Sequence, residues 1–98
     1  MLIRVLLPVE HFQSELGSVY MADAALEPVE LRLIRVEPEP RGPQDKRVPF
    51  TLTFANPREE RLEKGYYTLR SEHGPEFRHV LLTPLPPTGE IQQYLARI

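Results

Sequence analysis

The side chains best suited to acid–base or metal chemistry near neutral pH are the three histidines, His11, His73 and His79. His73, Glu76 and His79 lie close enough in sequence to suggest a site of two histidines and one carboxylate. The local pattern argues against it, because His79 shares strand parity with Phe77 and Leu81 whereas His73 sits in a turn beside Gly74 and Pro75. We therefore expect structural or solvated histidines and no metal. Serine occurs only at positions 14, 18 and 71, none of them in a strand-to-helix elbow that would expose a nucleophile. Glu59 with Glu60, and Glu37 with Glu39, could pair for general acid–base work. Arg58, Arg61 and Arg41 stand beside them, and exposed ion pairs are the simpler reading. The glycines at 17, 42, 65, 74 and 89 are dispersed, so none builds a phosphate-cradling loop. The expectation is a non-enzyme with no catalytic residue, no cofactor and no metal.

Tyr66, Tyr67, Arg70 and Arg78 could form an aromatic and basic patch across two paired strands, as in barrels that hold single-stranded nucleic acid. The alternative is that Tyr67 is core and Tyr66 covers a sheet edge. Twelve Lys and Arg against 14 Asp and Glu give a net charge of −2, which would repel a polyanion, so no nucleic-acid partner is expected.

These residues must be positioned by short elements. Pro8 to Leu16 predicts one short helix, with Glu10 in its first turn, Phe12 and Leu16 four apart, and Gly17 as the terminating residue. Ser18 to Ala22 predicts a short strand with Val19 and Met21 opposite Tyr20. Val29 to Val36 alternates, then changes parity, which predicts a β-bulge at Leu33-Ile34. Residues 37–49 carry four prolines and six charges and predict an exposed arm. Phe50-Thr51-Leu52-Thr53-Phe54 is a clean strand with its apolar face in the core and its threonines on the other face. Arg58 to Lys64 predicts a helical turn with Leu62 tucked inward. Tyr66 to Arg70, with Tyr67 and Leu69 inward, and Phe77 to Thr83 predict a hairpin closed by the 71–76 turn. Glu90 to Ile98 fits either period; a strand is preferred because nine residues make a weak helix.

Ninety-eight residues, 41% hydrophobic, suit a single domain spanning 1–98. Eleven prolines disfavour long helices and favour short strands joined by stiff loops. The expected fold is mainly β: a small antiparallel barrel or sandwich of six or seven strands with one short N-terminal helix. Cysteine is absent, so disulfides and thiolate zinc sites are excluded. No apolar run approaches the roughly 20 residues of a membrane span, and the first eight residues are too short and broken for a signal peptide. The segment Leu2, Ile3, Val5, Leu6 and Leu7, interrupted only by Arg4, is too apolar for a free end and is the candidate interaction segment.

The order Phe12, Leu16-Gly17, Tyr20, then Val29 to Val36, Pro49 to Phe54, Leu62, Gly65 to Leu69, and Val80 to Pro84 resembles a family of small bacterial proteins of unknown function, over roughly residues 12–98. That family repeats a Pro-Phe-Ser-Leu-x-Phe strand, a Gly-Thr-Tyr-x-Leu strand and an apolar strand ending in proline. Here Thr51 replaces its serine and Tyr66 its threonine, while Glu72-His73-Gly74-Pro75 departs from its His-Pro-x-Leu-Gly turn, so no role transfers to His73. The resemblance implies no catalytic residues. It implies neighbours resembling phage tail collars or fibres, and hence an assembly role.

From these readings we expect a structural or assembly subunit of a phage-tail-like particle or filament, cytoplasmic or incorporated into such a particle. It would associate with its own copies or other particle subunits through sheet edges and the apolar N-terminal segment. The alternative is a monomeric module binding a protein or small ligand through the 37–49 arm and the 71–76 turn.

Overall fold

The alternating patterns close into a barrel. In the computed structural model, which describes residues 9–24, 27–39, 50–71, 74 and 76–97, a short helix α1 (Val9–Gln13) precedes six strands. These are β1 (Val19–Ala22), β2 (Val29–Pro38), β3 (Phe50–Pro57), β4 (Gly65–Ser71), β5 (Glu76–Pro84) and β6 (Ile91–Arg97). The order around the barrel is β1-β2-β3-β6-β5-β4, every neighbouring pair is antiparallel, and β4 pairs back onto β1 to close it. The expected sheet edges are thus largely consumed by closure, since each strand has a neighbour on both sides. The seam between β5 and β6 is the shortest, with two paired positions, Thr83↔Leu95 and Pro84↔Tyr94.

Inward side chains follow strand parity and fill the interior: Tyr20, Leu31, Leu33, Phe50, Leu52, Phe54, Leu69, Leu82, Tyr94 and Ala96 are all buried. Two bulges reset that parity. On β2 the register shifts between Leu33 and Arg35, where the sequence predicts it, so Leu33 stays inside while Ile34 turns outward. On β5, Tyr67↔Val80 and Leu69↔Phe77 leave Arg78 and His79 opposite Thr68 alone, and His79 takes a positive φ of 55°. This second bulge corrects the expected parity of β5: Phe77, Val80 and Leu82 point inward, and Leu81 lies outside with His79.

Each barrel end is stoppered by a side chain from a connecting segment. At one end Phe12 of α1 is 2% exposed and packs against Phe50 and Phe77, with ring centroids 5.5 and 5.3 Å away. The expected Phe12–Leu16 stripe does not form. The helix stops after Gln13, the chain turns through Gly17 at φ 88°, and Leu16 is left 51% exposed. At the other end the only connection between non-neighbouring strands, β3 to β4, runs through a 3-10 turn at Arg58–Glu60 and buries Leu62.

The arm is shorter at its start than the sequence predicts. Glu37 and Pro38 extend β2 by pairing with Thr51 and Phe50, and proline is tolerated there as the last residue of the strand. Residues 40–49 lie outside the described residues, as do Leu2, Ile3, Val5, Leu6, Leu7, His73 and Ile98. The last segment is a strand, with Tyr94 and Ala96 inward as preferred. On β3 the threonine face is not all solvated: Thr53 is buried between its register neighbours Arg35 and Leu95.

If Phe12 is the stopper, Phe12→Ala is expected to cost about 3–5 kcal/mol, whereas Leu16→Ala costs about 0.5 kcal/mol or less. Denaturant midpoints of the two variants check this; equal losses would contradict it.

Candidate functional site

The residues with chemical potential are dispersed by the fold. His11 on α1 lies 3.9 Å from the Glu15 carboxylate, and Ser18 Oγ donates to the other oxygen of Glu15 at 2.9 Å. The carboxylate thus sits between the two, so the imidazole has no contact through which to take a serine proton. His79 projects from the β5 bulge beside exposed Tyr66, with ring centroids 6.1 Å apart. Glu76, which a metal site would need, pairs with Arg78 at 2.9 Å. No group of three metal-ligating side chains occurs among the described residues.

The proposed aromatic and basic patch is not assembled. Tyr66 faces solvent, but Tyr67 packs against the core and its hydroxyl donates to the Glu63 carbonyl at 2.7 Å. Arg70 is bound by Asp23 and Arg78 by Glu76, so both cations are already compensated. The carboxylates at the start of the arm are paired too, Glu37 with Arg35 at 3.7 Å and Glu39 with Arg97 at 2.9 Å, while Arg41, the partner read from the sequence, lies outside the described residues.

The interior holds polar groups that sequence reasoning missed. Asn56, the only asparagine, lies inside the barrel end that the crossover covers. Its Oδ1 accepts from the Tyr94 hydroxyl at 3.0 Å, and its Nδ2 donates to the Glu60 carbonyl at 3.0 Å. Tyr94 Oη in turn accepts the Leu62 N–H at 2.9 Å. One amide and one phenol therefore make three hydrogen bonds, one to each other and two to backbone atoms of the crossover, and Tyr67 satisfies a third backbone atom at Glu63. Gln92, fully buried, donates to the carbonyls of Leu85 and Gln93, which fixes the β5–β6 loop. The available signal was parity, because Gln92 shares a face with Tyr94 and Ala96.

Burial pushes the Tyr20 hydroxyl up to about 12, with the Glu15 carboxylate adding to the rise. Tyr94 is raised by burial against the lowering effect of its bonds to Leu62 and Asn56, and Tyr67 is raised by burial, then by Tyr94 and Glu63. These environments keep the phenols neutral and structural.

The surface offers two shallow grooves on one wall, on either side of Glu30. A groove of about 520 Å³ runs over β1, lined by Val19, Met21, Pro28, Glu30, Arg70 and Ser71. A second, of about 450 Å³, lies over β2, β3 and β6, where Glu30 and Arg32 flank Ile34, Ala55, Pro57 and Ile91. Ile34 and Ile91 are 38% and 45% exposed. Neither groove brings together an acid, a base and a nucleophile; an apolar floor with a charged rim suits contact with another macromolecular surface.

Two measurements check the interior. Tyr94→Phe removes the acceptor for the Leu62 N–H and the donor to Asn56, with an expected loss of about 1–3 kcal/mol, while Tyr20→Phe is expected to be neutral or stabilising because its buried hydroxyl has no hydrogen-bond partner among the described residues. As pH rises from about 10 to about 12, the unfolded chain ionises its tyrosines before the folded one does. Stability is therefore present below pH 10 and lost as pH rises through the folded value, by roughly 2–3 kcal/mol for Tyr20 alone. A melting-temperature series over that range is expected to fall less steeply for Tyr20→Phe than for the parent chain.

No curated protein and no solved structure matches the chain. The family model for a domain of unknown function (DUF6916) matches residues 7–98, nearly the whole sequence, and the chain belongs to that family.

Proposed function

We propose that this protein is a non-enzymatic assembly subunit, which associates with its own copies and with other subunits of a phage-tail-like particle or filament. The observation that supports this reading best is that Ile34 and Ile91, two of the five exposed large apolar side chains among the described residues, line one groove together, whereas Leu16, Tyr66 and Leu81 line neither groove. The compensated arginines and the dispersed histidines favour a contact surface over a reaction centre. The particle setting rests on the resemblance drawn from the order of the strand motifs. The apolar segment Leu2, Ile3, Val5, Leu6 and Leu7 supplies a second contact, and two unlike contacts are what an open-ended assembly requires. No helix among the described residues is long and apolar enough to cross a membrane.

A second reading, a monomeric binding module, is favoured by the groove over β1, whose apolar floor at Val19 and Met21 has Arg70 and Glu30 at its rim.

Light scattering over a roughly hundredfold concentration range separates the two. Mass that grows with concentration, and growth that shrinks when residues 1–7 are deleted from a chain that still folds, is the expected result. A fixed monomer at every concentration would overturn the assembly reading and bring the binding module forward.

A further inference from the structure

The groove between Ile34 and Ile91 has a property that specifies its occupant. Glu30 and Arg32 are successive outward residues of β2, on either side of buried Leu31. Glu30 stands opposite Met21 of β1, beside the groove over that strand, while Arg32 stands between Val19 and Ala55. Neither has an ion-pair partner among the described residues, and the Arg32 guanidinium reaches only the Gly17 carbonyl, at 2.6 Å. Asp23, Glu37, Glu39 and Glu76 are each bound to an arginine of the same chain, whereas Glu59, Glu60 and Glu90, like Glu30, have no ion pair among the described residues; what distinguishes Glu30 is Arg32 two residues along on the same face of one strand. One strand thus presents an uncompensated anion and an uncompensated cation two residues apart, at the edge of an aliphatic patch.

That arrangement is self-complementary. A two-fold axis lying in the contact plane and level with Leu31 runs the two β2 strands antiparallel across the interface. It sets Glu30 of each copy against Arg32 of the other. The same operation brings the β3 and β6 side of one copy over that of its mate, so Ile91, about level with Glu30, comes within two strand positions of Ile91 of the mate, while Ile34 is carried over Pro28 at the edge of the other groove. The β2 bulge is the device that makes this possible, since it holds Leu33 inside while turning Ile34 out.

We infer that the occupant of this wall is a second copy of this chain, bound as an isologous dimer through Ile34 and Ile91, with reciprocal Glu30–Arg32 pairs. This inference rests on the assembly reading and names its first interface; the dimer is the unit that any longer assembly would repeat.

The test is a charge exchange read by analytical ultracentrifugation and circular dichroism. Glu30→Arg puts two arginines against two arginines across the axis, and Arg32→Glu puts two glutamates against two glutamates. Each variant alone is expected to fold and to dimerise about tenfold or more weakly than the parent. Mixed in equal amounts they place unlike charges at both contacts, and the mixture is expected to regain a one-to-one dimer, as is the double variant Glu30→Arg/Arg32→Glu. Ile91→Lys, at an exposed position, is expected to weaken all of these. If the parent chain associates but the single variants associate equally well and mixing changes nothing, this interface is wrong while the assembly reading stands. If the parent is monomeric throughout, both fail.

Discussion

The barrel depends on a single connection that cannot be a hairpin. Strands β3 and β4 follow one another in sequence but are separated in the sheet by β6 and β5, so residues 58–64 must cross an open end of the barrel. A crossing segment brings backbone polar groups over an apolar interior, where each unpaired one costs roughly 1–3 kcal/mol. Asn56 and Tyr94 remove that cost together, taking Glu60, Leu62 and each other as partners, and Leu62 then serves as a hydrophobic stopper. Asparagine suits the position because its amide donates at one end and accepts at the other. Aspartate would offer only acceptors to the Glu60 carbonyl.

The opposite end follows the same logic with different chemistry. There the stopper is aromatic, Phe12, and the segment carrying it is tied down by backbone bonds from Gly17 to Leu33 and from Leu33 to Ser18. With both ends filled, the interior among the described residues holds a void of only about 10 Å³ between Phe12, Tyr20, Phe54 and Phe77, too small for a ligand. Function is thereby moved to the outer wall, where the short strand β1 leaves a groove and the β2 bulge turns out an isoleucine.

Much of this was legible in the residues. Alternation fixed the strand faces of β1, β3 and β4, the parity change at Leu33-Ile34 announced a bulge, and Leu62 was placed inward before any geometry was known. What stayed hidden was set by long-range pairing. The β5 bulge leaves only an ambiguous trace: Arg78 and His79 in succession between Phe77 and Val80 break the alternation, but apolar Leu81 fits the unbulged parity equally well, and only the register against β4 decides between them. Ala55-Asn56-Pro57 reads as the end of a strand, and only pairing against β6 shows that β3 runs on to Pro57 and buries Asn56 opposite Gln92. The surface pair Glu30 and Arg32 reads as ordinary alternation, since only the fold shows that neither has an ion-pair partner among the described residues.

The central claim is that the crossover is latched from inside, and amide hydrogen exchange at Leu62 tests it most directly. The account predicts that the Leu62 amide, donated to buried Tyr94 Oη, exchanges as slowly as strand amides of β3 and β6, while the amides of exposed Arg61 and Lys64 exchange quickly. A Leu62 amide that exchanges as fast as theirs, under conditions where β3 remains protected, would contradict it.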